Sequence, residues 1–435
     1  MKIAIHWFRR DLRWDDNTAL SKALDNDLPV LPLFIFDTNI LDQLDNKQDR
    51  RVHFIHRELS RLQEDAIKKG TSILVKHGKP IEVWKELLKE YEIGAVYTNR
   101  DYEPYAPKRD KAIYELLQSH DIPFKGCKDH VIFEKSEVVK KDGKPYTVFT
   151  PYSKKWLIAY KENPPLIHPS ALHSNNFHET KPLHFPTLSD LGFEETDTDF
   201  PSIDLDESLL DEYKELRDYP AKNHTTRLSV HFRFGTISIR KMAAKGMKLS
   251  AGWLNELIWR DFYQAILYHF PHAVRKSIKP AYENIPWRNN EAEFEKWCQG
   301  KTGDPLVDAG MRELNATGLM HNRVRMVVAS FLVKHLLISW QWGEAYFAEK
   351  LLDFELASNN GGWQWAASTG CDAAPYFRIF NPTSQLKKFD KELVYVRKWV
   401  EEFDGLDYPQ PIVEHKMARE RALRVYKGVL EEFRK

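Results

Sequence analysis

The chain has 435 residues, 42% hydrophobic and 29% charged, with 64 basic against 63 acidic side chains and a formal net charge of +1. That balance does not favour a protein that holds nucleic acid by bulk charge, but a local basic groove stays open, because counterion release depends on the phosphates contacted. No apolar run approaches the ~20 residues of a membrane span, and MKIAIHWFRRDLRW lacks the order of a signal peptide, so a cytoplasmic protein is expected. Cys127, Cys298 and Cys371 are far apart and form no CxxC pair, so neither a disulfide framework nor a metal site is expected.

Residues 1–130 alternate short apolar runs with amphipathic stretches. Strands are predicted at Ile3–Phe8, Val30–Phe36, Ser72–Lys76 and Ala95–Thr98, with helices at Val52–Lys69 and Ile81–Tyr91. Strand–helix alternation at this spacing implies an α/β domain with a parallel sheet. No GxGxxG follows any strand, so the usual dinucleotide fingerprint is missing. Residues 131–206 read as a connector, because Pro151, Pro164, Pro165, Pro169, Pro182, Pro186 and Pro201 disfavour helix. From 207 to 435 the apolar spacing is helical, as in Leu254, Leu257, Ile258 and Phe262 and again in Val324, Val327, Val328 and Phe331. An all-α second half is predicted, ending in a basic amphipathic helix over Val413–Lys435.

Five segments invite a chemical reading. Gly300-Lys301-Thr302 looks like the end of a phosphate-binding loop, but Glu295 stands where that motif needs glycine, so a turn between helices is expected. Thr225-Thr226-Arg227-Leu228-Ser229 opens a helical pattern; it suits either an anion site or plain helix capping. In 253-WLNELIWRDFYQAILYHF-270, Glu256, Trp259 and Arg260 share a face of a very apolar helix, with Trp253 beside it. In 320-MHNRVRMVVASFLVKHLLISWQW-342, Asn322, Arg325 and Met326 share another, while Arg323 points elsewhere. The two polar faces suggest one pocket. Asn359-Asn360-Gly361-Gly362 reads as a turn, followed at once by Trp363 and Trp365. Eight of the 13 tryptophans lie between Trp253 and Trp365, so flat conjugated groups matter there.

HWFRRDLRWDDNTAL, TTRLS, WLNELIWRDFY, GLMHNRVRM and NNGGWQWAASTGCDAAPYFRIFNP follow one another along nearly the whole chain. They resemble the DNA photolyase/cryptochrome family, closest to class I cyclobutane pyrimidine dimer photolyases. The resemblance implies a Rossmann-like α/β antenna-type domain, a linker, and an all-α domain that binds FAD and DNA. It implies that Tyr213 and Thr225, Thr226, Arg227, Leu228 and Ser229 hold the FAD phosphates and ribityl chain. Trp253, Glu256, Arg260, Arg325, Asp353, Phe354 and Glu355 would border the cofactor, and Asn359 would face flavin N5. Trp363, Trp340 and Trp287 would relay electrons from the flavin outward.

The resemblance also implies a lesion pocket walled by Trp259 and Trp365. Glu256 and Asn322 would hydrogen-bond the dimer and Met326 would touch it, while Arg217 and Arg323 would bind DNA phosphates. Gly318-Leu319-Met320-His321-Asn322 offers only His321 where (6-4) photolyases carry a histidine pair, which favours cyclobutane dimers. The expected activity is light-driven dimer repair by electron transfer from reduced FAD, performed by a monomer; the alternative is a cryptochrome-type blue-light receptor. Tyr105-Ala106 stand where folate-binding members carry Asn-Glu, so a folate antenna in that mode is not expected. A deazaflavin, a second flavin or no antenna stay open.

Overall fold

The computed structural model describes residues 1–433; Arg434 and Lys435, the end of the predicted C-terminal helix, lie outside the described residues. The chain forms two compact units, each assembled from separate stretches. Unit 1 comprises Met1–Glu134, Ile158–Leu205 and Arg227–Lys248; unit 2 comprises Lys135–Leu157, Asp206–Thr226 and Leu249–Lys435.

Unit 1 is built on a five-stranded sheet of order β3-β2-β1-β4-β5, with every neighbouring pair parallel. The strands are β1 (Ile3–Phe8), β2 (Val30–Asp37), β3 (Leu74–Gly78), β4 (Ile93–Asn99) and β5 (Phe124–Cys127). β1 and β2 are buried along their whole length, as continuous apolar strands of a sheet covered on both faces should be. Pro32 fits inside β2 because β2 pairs with β3 only from Leu33 onward. Four strands and both helices fall within a few residues of their predicted places. β5 was not foreseen: its four residues, FKGC, carry a lysine and a glycine and show no apolar run.

Residues 227–248 join unit 1 through a buried ion network. Arg240 Nε donates to Asp16 at 2.8 Å and its Nη2 to Asp129 at 2.9 Å, while Arg13 Nη2 donates to Asp129 at 2.6 Å. Burial alone would raise the Asp129 pKa, but Arg13 and Arg240 outweigh it and hold the carboxyl below the usual range.

Unit 2 is helical, and no strand occurs in it among the described residues. Its core gathers Trp297, Val324, Val327, Val328, Phe331, Leu332, Leu336, Trp340, Phe347 and Trp363. The segment 320–342 is not one continuous helix. It runs as an α-helix over Asn322–Ser330, widens to a π-turn over Phe331–His335, and restarts at Trp340–Lys350. Residues 131–206 are divided between the units, and they are not all extended. Phe149–Glu162 forms a helix despite Pro151, which sits in its first turn where no backbone bond is lost. No described helix is long and apolar enough to cross a membrane.

Candidate functional site

Ser250 caps the helix Ala251–His269 by accepting from the Trp253 backbone N–H at 3.4 Å. Most of this helix is buried, yet Gly252, Glu256, Trp259 and Tyr263 recur along one partly open stripe. Glu256 and Arg260 do not pair with each other. Glu256 accepts from Arg217 Nη1, and Arg260 Nη2 donates to Glu355 at 2.8 Å. Arg260 and Glu355 are 9% and 6% exposed, so removing either charge would cost about 3–5 kcal/mol through the partner left behind. Trp253 is buried at the start of the same helix.

Asn359-Asn360-Gly361-Gly362 is not a turn. It lies inside the helix Leu356–Ala367, because packing overrides the local turn preference. A Cβ on Gly361 would fall 2.2 Å from the Tyr263 ring, so this glycine lets two helices approach closely. A Cβ on Gly362 would meet nothing within 4 Å. Ser358, Gly362 and Trp365 form a half-open stripe on an otherwise mostly buried helix. Each of these two packed helices thus keeps a partly exposed stripe that carries a tryptophan, Trp259 on one and Trp365 on the other.

Polar side chains expected near the cofactor are held by fixed partners. Arg325 donates to Asp353 at 3.0 Å and to the Met320 carbonyl at 2.8 Å. Phe354 packs against the unit 2 core. Asn359 Nδ2 donates to both the Glu344 carbonyl at 3.1 Å and its carboxylate at 3.0 Å. Both partners are acceptors, so the Asn359 amide group faces Glu344 and its carbonyl oxygen points the other way. Glu344 went unnoticed in the sequence: it is one of many acids, fifteen residues from its partner, and only the helix packing joins them. Burial raises the Glu344 pKa above the usual carboxylate value.

Arg217 and Arg323, both expected at DNA phosphates, are already engaged: Arg217 with Glu256, and Arg323 with Asp218 at 2.6 Å. Arg323 also lies over the Phe389 ring at 4.5 Å, and Asn322 beside it is exposed. Met326 is half-buried one turn further on, 3.9 Å from Arg323 Nη1 through its sulfur. His321 caps this helix by accepting from the Arg323 N–H at 3.2 Å, and burial pushes its pKa down to about 4. Tyr213 is buried with the Arg217 guanidinium 5.1 Å from its ring centre.

Thr225 and Thr226 belong to unit 2, whereas Arg227, Leu228 and Ser229 belong to unit 1. Leu228 is the N-cap of the helix Ser229–Phe234 and makes no side-chain cap bond. Leu228 is itself buried. Trp340 and Trp363 are buried in the core of unit 2, and the half-buried Trp287 packs against its edge.

The two halves of the sequence match separate family models: "DNA photolyase" over residues 4–170 and "FAD binding domain of DNA photolyase" over 253–407. The deoxyribodipyrimidine photo-lyase of Vibrio cholerae is 36% identical over 467 residues, covering 97% of this chain and 98% of the relative. A bacterial class III photolyase from Agrobacterium tumefaciens superposes with a TM-score of 0.88 at 33% identity, over 99% of this chain and 98% of that one. An archaeal photolyase from Sulfolobus tokodaii, solved with two FAD molecules, gives 0.85 at 34% identity, over 98% and 100%. A parallel α/β unit with an aromatic-rich helical unit is thus the architecture of the photolyase/cryptochrome class. The chain belongs to the DNA photolyase family.

Proposed function

We propose that this protein is a class I-type deoxyribodipyrimidine photo-lyase that uses FAD and light to split cyclobutane pyrimidine dimers in DNA. The observation that carries the reading is that two packed helices of unit 2 each keep a partly exposed aromatic stripe, Glu256 and Trp259 on one and Gly362 and Trp365 on the other, within the segment that matches the FAD-binding domain of DNA photolyase. Reduced FAD, when bound and excited, supplies the electron that opens the cyclobutane ring and takes it back, so the cycle needs no net oxidant or reductant.

The chain's own residues bind, orient and polarise. Tyr213 and the hydroxyls and backbone of Thr225–Ser229 would hold the phosphates and ribityl chain. Arg260 with Glu355, and Arg325 with Asp353, would supply fixed charge to the cofactor, while Trp253 and Phe354 would supply apolar surface to it. Asn359, turned by Glu344, presents a carbonyl oxygen, which suits a ring N–H donor at N5. Trp259 and Trp365 offer the flat walls that an extruded dimer requires, since the lesion is out of reach inside the duplex.

Glu256 and Asn322 would hydrogen-bond the dimer, and Met326 would pack against it. Glu256 must first leave Arg217, which frees that guanidinium for a DNA phosphate; Arg323 can likewise exchange Asp218 for one. Trp363, Trp340 and Trp287 would carry electrons inward to restore the reduced cofactor. Trp363 and Trp340 are both buried and Trp287 is half-buried, as an outward path requires.

The helical unit is assigned to FAD and DNA and the α/β unit to an antenna-type role, its second chromophore unidentified. Tyr105 donates to Asp37 at 2.5 Å, so this side chain is already committed where folate-binding members differ. A monomer remains the proposed state, and the three free, buried cysteines suit the reducing cytoplasm.

The test is direct. Photoreduced protein is mixed with an oligonucleotide bearing one thymine dimer, and near-UV illumination should restore thymine absorbance. No light-dependent recovery refutes repair and leaves the receptor alternative. Glu256→Ala should lower the repair yield while FAD stays bound.

A further inference from the structure

Trp259 has a covered face. The Phe149 ring lies parallel to it, 3.7 Å between centroids with planes 3° apart. Phe262 meets both rings edge-on, 5.8 Å from Phe149 and 5.5 Å from Trp259. Phe149 is 6% exposed and Phe262 fully buried, whereas Trp259 keeps part of its surface open. On its remaining sides Trp259 has a tilted neighbour, Tyr263, at 5.5 Å and 33°. No second ring is stacked parallel on it among the described contacts. A planar ligand can therefore stack on one face of this indole only.

Phe149 is itself anchored at both ends of a short span. Its backbone N–H donates to Asp372 at 3.3 Å, and the Asp372 N–H donates to the Thr147 carbonyl at 2.9 Å. Two turns along the same helix, Trp156 donates its indole N–H to Asp261 at 2.9 Å, both side chains being buried. Phe149 and Trp156 are seven residues apart and so share the face that packs on the helix Ala251–His269. Two anchors fix the Phe149 ring, and the stacked pair fixes the plane of Trp259.

We propose that Phe149 is a positioning residue for the dimer pocket: by covering one face of Trp259, it holds the indole so that only the opposite face receives an extruded pyrimidine dimer. The proposal rests on the reading of Trp259 as a pocket wall. Removing the ring frees the indole to rotate, and the loss of one aromatic stacking contact corresponds to roughly two- to tenfold in binding.

The experiment compares Phe149→Leu, Phe149→Tyr and Trp259→Ala as full-length FAD-bound proteins. Affinity is measured for a duplex with one thymine dimer and for the same duplex undamaged, beside repair KM and kcat, melting temperature and photoreduction rate. Phe149→Leu should weaken dimer binding about two- to tenfold and raise KM more than it lowers kcat. Undamaged-DNA binding and photoreduction should hold, and Phe149→Tyr should restore dimer binding. Wild-type dimer binding by Phe149→Leu, with Trp259→Ala defective, overturns the proposal alone. Equal loss on damaged and undamaged DNA also overturns it, by showing a general structural role. Wild-type dimer binding by Trp259→Ala overturns the pocket reading itself and the proposal with it.

Discussion

Gly343→Ala tests whether the packing of unit 2 holds Trp363 in place. Gly343 lies in the helix that Trp340 opens, directly against the Trp363 indole. A Cβ there would fall 2.1 Å from Cη2 and 2.4 Å from Cζ3 of Trp363, and 2.6 Å from Leu332 Cδ2. Comfortable carbon–carbon contact begins near about 3.5 Å, so the ring must retreat by more than an ångström. It has nowhere to go: Trp363 is 2% exposed, with Phe347 edge-on at 5.0 Å and Trp297 at 6.1 Å. Overpacking of this kind costs about 1–3 kcal/mol, occasionally more. The better helix propensity of alanine returns only about 0.5–1 kcal/mol of that. At roughly 2–4 °C per kcal/mol for a unit of this size, the melting temperature should fall by several degrees. Gly428→Ala is the control, because a Cβ there meets nothing within 4 Å. It should be neutral or stabilising by up to about 1 kcal/mol. Thermal melts of both variants are read beside the rate of light-driven flavin reduction, which the displaced indole should slow in Gly343→Ala alone. If Gly343→Ala melts and photoreduces like Gly428→Ala, the tight contact does not control the position of Trp363.

Three further outcomes are expected. Trp363→Phe should block photoreduction but leave repair intact once the flavin is reduced chemically; loss of repair as well would show that the relay and the lesion pocket are not separable. Asn359→Asp places a second carboxyl against Glu344, whose oxygen lies 3.0 Å from the amide nitrogen, so one of the two must keep its proton. The infrared acid band should then persist to higher pH than in the parent, and an unchanged titration would refute the contact. Lys334 is fully buried, donates to Ser368 Oγ at 2.9 Å and lies 3.5 Å from the Tyr426 ring centre. Burial, and to a lesser extent Lys279, lowers its pKa well below 10.5. The unfolded chain then binds a proton that the native state lacks, so stability rises with pH up to about 10.5. Lys334→Met should flatten that rise in urea midpoints between neutral and alkaline pH; an unchanged slope would mean that the amine stays charged.

Much of this protein is legible in one dimension. β1 and β2 announce themselves because a strand buried on both faces is mostly apolar, and the helical spacing of 253–270 and 324–336 reports burial in the same direct way. Family motifs name the proposed site residues because binding a flavin and a lesion would demand particular side chains at fixed intervals. What a sequence carries poorly is competition between local preference and packing. Asn359-Asn360-Gly361-Gly362 has the composition of a turn, yet it is helical because Gly361 must admit the Tyr263 ring. Pro151 reads as a helix breaker, yet it opens a helix.

Pairing over distance is the other thing the chain does not display. Glu256 and Arg260 are helical neighbours of opposite charge, but each takes a partner from elsewhere, Arg217 and Glu355. Glu344 orients Asn359, and Phe149 covers Trp259 from more than a hundred residues away. The sequence by itself determined the fold class, through periodicity, and the family, through the resemblance of its motifs. Only the tertiary structure decided which charges meet, which glycine yields to a ring and which face of Trp259 is open. Those outcomes depend on the close packing of side chains far apart along the chain.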